Sequence, residues 1–139
     1  TSMMLMARFT IPEMRKRQAG AIVNIASVAG LRGGHAGLMY PTSKGAVVQM
    51  TRAMAAHHGP EGIRVNCIAS GYIRTDLIDR LAEEGKLAIK DLEKRTPQRR
   101  LGSGADIAKA VRYVASDDAG FMTGEVMVID GGWTAFGYY

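Results

Sequence analysis

The run Ala21-Ile22-Val23-Asn24-Ile25-Ala26-Ser27 decides the fold. It is short and mostly apolar, and Gly20 sets it off from what precedes it. A strand covered on both faces loses the alternation of polar and apolar residues, so this pattern reads as a strand buried in a parallel sheet. Ser27 stands at the carboxyl end of that strand. In open α/β sheets the ligand crevice lies outside those ends, so Ser27 marks the place where chemistry is expected. Taken alone, a serine here serves equally well to cap the loop that follows.

Before the strand, Met3, Met6, Ala7, Ile11 and Met14 fall at helical spacing, with Arg15-Lys16-Arg17 closing the pattern. After it, the loop from Gly30 to Gly37 holds Gly30, Gly33, Gly34 and Gly37 with Arg32 and His35, which predicts flexible or tightly turned backbone. No Gly-Lys-Ser/Thr follows and no Gly-x-Gly-x-x-Gly occurs, so the loop is not read as a phosphate cradle. A helix is predicted from about Pro41 through Ala46, Val47, Met50 and Met54 to His57, ended by Gly59-Pro60-Glu61-Gly62. Ile63-Arg64-Val65-Asn66-Cys67-Ile68-Ala69 is a second strand, and the loop Ser70 to Thr75 lies at the same rim as Ser27. Asp76 to about Arg95 reads as one or two polar helices broken near Gly85, and residues 76–100 suit a lid over a substrate pocket. Asp106 to Ala115 is helical by its apolar spacing, and Val126-Met127-Val128-Ile129 is a third buried strand ending at Asp130-Gly131-Gly132. The order is α-β-α-β-α-β within one domain unit, 1–139.

Composition narrows the function classes. With 139 residues, 47% of them hydrophobic, the chain has material for one core. No run approaches the ~18 apolar residues of a membrane span, so no membrane association is expected. Thr1 to Met14 lacks the basic start, apolar centre and small-residue cleavage site of a secretory signal, and a cytoplasmic protein is the expectation. The lone cysteine, Cys67, forms no internal disulfide and sits among strand residues, which points to a buried thiol. A formal charge of +5 raises the question of nucleic acid. Yet Arg15-Lys16-Arg17, Lys94-Arg95 and Arg99-Arg100 are not interleaved with aromatics and read as solvated or helix-terminating charge, so no nucleic-acid partner is expected.

Tyr40-Pro41-Thr42-Ser43-Lys44 carries the chemistry. In a helix, residues four apart share a face, so the Lys44 ammonium lies close enough to Tyr40 to favour its phenolate. A phenol ionises near ~10 in water and is a poor acid or base at neutral pH, and a neighbouring cation is the simplest correction.

Taken in order, these features resemble the short-chain dehydrogenase/reductase family, of the 3-oxoacyl-reductase and sugar-alcohol dehydrogenase type. The resembling features are Ile22 to Ser27, Tyr40-x-x-x-Lys44, Ile63-Arg64-Val65-Asn66, the Gly71 to Thr75 loop, and Thr123-Gly124 through Gly132. The resemblance implies a Rossmann-like, doubly wound α/β fold, of which this chain supplies the carboxyl-terminal part: three parallel strands with flanking helices. It implies hydride transfer between NAD or NADP and a small-molecule alcohol or carbonyl. By the same resemblance Ser27 binds the substrate oxygen, Tyr40 exchanges its proton, and Lys44 holds the nicotinamide ribose and stabilises the tyrosinate. Gly71 and Ile73, through backbone, and Thr75, through its hydroxyl, fix the carboxamide.

The resemblance also implies what this chain does not hold. The family's glycine-rich phosphate loop, the residue selecting NAD or NADP, the Asn-Asn-Ala-Gly segment and the catalytic asparagine all align before Thr1. The expectation is therefore half of an enzyme, inactive by itself, with an unpaired apolar edge on its first strand. A non-catalytic structural or oligomerising module is the alternative. Ser70 stands where the family usually has proline, which loosens the loop without removing a contact. Family members usually form homodimers or homotetramers, and Met50, Met54, Trp133, Phe136, Tyr138 and Tyr139 are expected at that interface; the alternative is a tail folded back over the active site. A hydrolase would need Ser27 or Ser43 beside His35, His57 or His58, but no Gly-x-Ser-x-Gly elbow exists, and the histidines lack metal-pair spacing. No metal is expected.

Overall fold

The computed structural model describes residues 2–33 and 37–136. Its elements follow the order α1 (Ser2–Arg17), β1 (Gly20–Ser27), α2 (Met39–His58), β2 (Ile63–Ser70), α3 (Asp76–Glu83), α4 (Ile89–Arg95), α5 (Gly104–Ala115) and β3 (Val126–Ile129). The three strands form one parallel sheet in the order β1-β2-β3. Parallel neighbours need long crossovers, and α2 supplies the first while α3, α4 and α5 lie in the second.

β2 is the centre of the layer. Its residues from Val65 to Ala69 are all buried, as expected for a strand covered on both faces. Alternate side chains divide the two faces. Ile63 and Val65 join Ile11, Met54 and Ala55 in one apolar cluster, and Cys67 joins Ala26 and Val48 in a second, so this face packs under α1 and α2. Arg64 and Asn66 point the other way. The Arg64 guanidinium donates to the carbonyls of Val114 and Ser116, each at 2.9 Å, at the carboxyl end of α5, where helix carbonyls lack intrahelical partners. Asn66 Nδ2 donates to Met122 O at 2.8 Å, and its Oδ1 accepts from Glu125 N at 3.0 Å, pinning the approach to β3. Each fully buried Ile or Val in this layer contributes about 1.5–3 kcal/mol.

β1 is paired on one side only among the described residues, and Ile25 on it is 36% exposed. Boundaries differ from the sequence reading by small margins. α2 starts at Met39, which places Pro41 in the first turn, where its missing N–H removes no intrahelical bond. Gly85, at φ +69°, lies between α3 and α4. Three residues expected at an interface pack within the chain: Trp133 and Met54 are buried and Met50 lies against the α1–α2 cluster, while Phe136 is exposed. Gly131 and Gly132, at φ +63° and +89°, reverse the chain after β3 and fold Trp133 back inward. Tyr138 and Tyr139 lie outside the described residues.

Candidate active site

Strand register sets the rim. Ser27 pairs with Ser70, and Ser70 with Ile129, so the three strands end on one rung at their carboxyl ends. Ser27 is 7% exposed, and its Oγ accepts from Ala29 N at 3.2 Å, capping the short turn Val28–Gly30. Both readings of this serine are therefore compatible. Capping uses one lone pair and leaves the O–H hydrogen to orient toward a ligand.

The turn after Ser27 crosses α2 at very close range. A Cβ added to Gly30 would lie 2.6 Å from Lys44 C and 2.8 Å from Gly45 N. Gly45 faces the crossing in return, with Gly30 O at 3.5 Å from its own hypothetical Cβ. This pair of glycines brings the serine turn against the helix that carries Tyr40 and Lys44. Sequence reasoning passed over it, although Gly45 directly follows Lys44 and Gly30 opens the glycine-rich loop.

Tyr40 lies in the first turn of α2 and is 52% exposed. One turn on, Lys44 Nζ sits 5.8 Å from the centre of the Tyr40 ring and donates to Ile25 O at 3.2 Å. The ammonium thus bridges the helix and the carboxyl end of β1.

The loop after β2 is fixed from two sides. Gly71 N donates to Ile129 O at 3.0 Å, and a Cβ on Gly71 would lie 2.8 Å from Asp130 Cα, so close approach to the end of β3 requires glycine there. Ile73 bridges Gly102 in parallel, with Gly102 N donating to Tyr72 O at 2.9 Å and Arg74 N donating to Gly102 O at 2.8 Å. Thr75 Oγ1 caps α3 by accepting from Ile78 N at 3.4 Å.

A cleft of about 410 Å³ opens between these parts, lined by Ser27, Tyr40, Gly71, Ile73 and Thr75 among others. Five of the six sequence-predicted residues meet there. Lys44 stands behind Tyr40 rather than on the cleft wall. The histidines do not take part. His57 is exposed, and His58 Nδ1 bonds Glu61 Oε2 at 2.9 Å past the far end of α2, while His35 lies outside the described residues. Hydrogen bonds from Arg15 and His58 hold the Glu61 carboxyl below its ordinary range. Among the described residues no group of three or more His, Cys, Asp or Glu is placed to hold a metal, and no helix is long and apolar enough to cross a membrane.

A family model described as enoyl-(acyl carrier protein) reductase matches residues 1–134. The 2-(R)-hydroxypropyl-CoM dehydrogenase of Xanthobacter autotrophicus is 39% identical over 128 residues, covering 92% of this chain and 51% of that protein. The 3-oxoacyl-[acyl-carrier-protein] reductase FabG of Haemophilus influenzae is 38% identical over 132 residues, covering 95% and 53%. Among solved structures, ElxO with NADP bound superposes with a TM-score of 0.86 at 32% identity over 93% of this chain and 52% of that one. A gluconate 5-dehydrogenase from Burkholderia cenocepacia in complex with NADP and tartrate gives 0.85 at 32% identity, over 93% and 50%. The chain thus spans about half the length of these relatives. Matched along nearly its whole length and built on a Rossmann-type parallel sheet, the chain belongs to the short-chain dehydrogenase/reductase family.

Proposed function

We propose that Ser27, Tyr40 and Lys44 are the proton-handling centre of an NAD- or NADP-dependent oxidoreductase that interconverts a small-molecule alcohol and its carbonyl. The observation that carries this reading is the shared cleft, lined by Ser27 and Tyr40 together with Gly71, Ile73 and Thr75. The lining fits the nicotinamide end of such a cofactor. Uncharged donors and acceptors from backbone and from Thr75 suit a carboxamide, and two hydroxyls suit a carbonyl oxygen. The phosphate end finds no equivalent here, because no glycine-rich phosphate loop occurs in the chain. Solved relatives holding NADP support a nicotinamide nucleotide for the intact protein.

When bound, the nicotinamide supplies or accepts the hydride at the substrate carbon. The chain's own residues handle the proton. In reduction, the Ser27 hydroxyl donates a hydrogen bond to the carbonyl oxygen and fixes its position. As that oxygen gains negative charge, the Tyr40 O–H bond breaks and the proton moves to it. The phenolate left behind faces the Lys44 ammonium, whose Ile25 anchor keeps it from swinging away. Oxidation runs the same transfer backwards. Residues 76–100 act as the lid.

Replacing Tyr40 by Phe in the intact protein tests the assignment. Turnover in a screen of alcohols and ketones with NADH and NADPH should fall by about 10²–10⁴-fold with cofactor affinity kept. Equal rates for variant and parent would defeat it.

The one-sided pairing of β1, with Ile25 partly exposed, favours a second reading for the isolated polypeptide: a non-catalytic half that needs a complementing segment. Nicotinamide binding by the isolated 139-residue chain at micromolar affinity would refute it. Homo-oligomerisation is part of the proposal. Met4, Leu5, Met6 and Phe9 on α1 are 49–71% exposed, a larger apolar display than solvated surface usually carries. Sedimentation analysis of the intact protein checks it.

A further inference from the structure

Tyr72 and Ile73 form a thin wall between two cavities. The cleft of about 410 Å³ lies on one side, and a second cavity of about 370 Å³, lined by Gln98, Arg100, Lys109 and Asp130 among others, lies on the other. Both residues line both cavities. A wall with open space behind it takes its position from whatever holds it at its edges. Hydrogen bonds to Gly102 hold the backbone. The Tyr72 ring is held by Trp133, with ring centres 4.8 Å apart and planes tilted by 58°.

Trp133 is itself firmly placed. It is 6% exposed, and the Arg95 guanidinium lies over it at 4.0 Å from the ring centre. The turn that delivers it is tied by the Asp130 carboxylate, which accepts from Gly132 N at 2.9 Å, Thr134 N at 2.8 Å and Thr134 Oγ1 at 2.6 Å. A Cβ on Gly131 would meet Thr96 Cγ2 at 2.8 Å, and one on Gly132 would meet Pro97 Cγ at 2.9 Å. The segment that leaves the cleft at Thr75 therefore returns at Arg95 onto the same aromatic ring that holds Tyr72, and at Thr96 and Pro97 onto the turn that delivers it.

We propose that Trp133, clamped by Arg95, is a positioning residue for the loop 71–75. Through Tyr72 it sets where the backbone of Gly71 and Ile73 and the Thr75 hydroxyl stand in the cleft, and it couples that loop to the far end of the segment 76–100. The effect on nucleotide geometry rests on the hydride-transfer reading above, whereas the effect on the loop does not.

Amide hydrogen exchange of the unliganded intact protein separates the two, with amides of β2 as internal reference. In Trp133→Ala, amides 71–75 should exchange about tenfold faster, the scale that one aromatic and one cation–π contact support, while β2 amides hold their rate. Trp133→Phe, which keeps a ring against Tyr72, should restore most of the protection. Arg95→Met keeps Trp133 and should raise exchange at 71–75 by a smaller factor while shifting the Trp133 emission. Unchanged exchange at 71–75 in folded Trp133→Ala overturns the proposal. If that variant does not fold, unchanged exchange in Arg95→Met does so. In the intact protein, Trp133→Ala should raise the KM for NADPH about tenfold with kcat nearly kept, on the same contact energies. Failure of the parent itself to bind either nucleotide would count against the hydride-transfer reading, and the exchange result would stand apart from it.

Discussion

Lys44 Nζ stands 5.8 Å from the centre of the Tyr40 ring and is tethered at 3.2 Å to the carbonyl of Ile25, two residues before Ser27. One cation thus ties the helix bearing the phenol to the strand bearing the serine. The tether makes Lys44 more than a charge: it is also a strut between α2 and β1. Lys44→Met keeps the aliphatic stem and removes the ammonium. In the intact protein it should lower kcat by at least about 10²-fold, within the range that general acid–base groups supply, and weaken nucleotide binding as well. Lys44→Arg retains a cation on a planar group that fits the Ile25 contact poorly, and should recover only part of the rate. Steady-state kinetics at saturating cofactor checks both.

Gly30 provides a test of position without touching a reacting group. Its missing Cβ leaves room for the α2 backbone at 2.6 Å, so Gly30→Ala must push the serine turn and the helix apart. We expect a stability loss of about 1–3 kcal/mol, the usual cost of overpacking. Gly33→Ala is the control, because among the described residues nothing lies within 4 Å of a Cβ there, and its effect should stay within about 0.5 kcal/mol. Urea denaturation of both variants measures the difference.

The fold was largely legible because its strands announce themselves. Ile22 to Ala26 and Ile63 to Ala69 are short, mostly apolar runs broken only by Asn24, Arg64 and Asn66, the pattern of strands covered on both faces. The Tyr40–Lys44 face followed from helix periodicity alone. What stayed hidden were contacts between elements far apart in sequence. Nothing local says that Gly71 must accommodate Asp130, or that Gly30 must meet Gly45, because a glycine needed for close approach looks the same as one needed for a turn. The place of Trp133 was open for a related reason: its aromatic character suits an interface or a fold back over the site, and only Gly131 and Gly132, which turn it inward onto Tyr72 and Arg95, decide for the second.

Cys67 lies wholly inside the sheet layer, and burial pushes its thiol above the ordinary range despite hydrogen bonds that favour ionisation. The thiolate is the reactive form, so the folded chain should resist thiol reagents at neutral pH. Labelling should appear only with unfolding, its urea midpoint coinciding with that seen by circular dichroism. Rapid labelling of the native chain would show that β2 opens locally, contrary to the central place the sheet order gives it.

The amino end of α5 supplies a pH prediction. Asp106 completes a capping box with Ser103 and receives Arg100 Nη1 at 2.8 Å, and those hydrogen bonds hold its carboxyl well below the usual carboxylate range. The folded chain therefore holds this proton less tightly than the unfolded chain does. The stabilisation is whole above the unfolded pKa near ~3.9 and is lost as pH falls from there through the lower folded value. Asp106→Asn removes the titrating group, so the gap in urea midpoint between parent and variant should be wide at pH 7 and close progressively below pH ~4. Other carboxylates cancel in that comparison because both chains share them. Added salt should narrow the gap at pH 7, since Arg100 is half exposed and its attraction is screened over a Debye length of ~8–10 Å. A gap that stayed constant from pH 7 to pH 2 would mean that the carboxyl acts only as a neutral acceptor for the Ser103 amide, with the Arg100 pair contributing nothing.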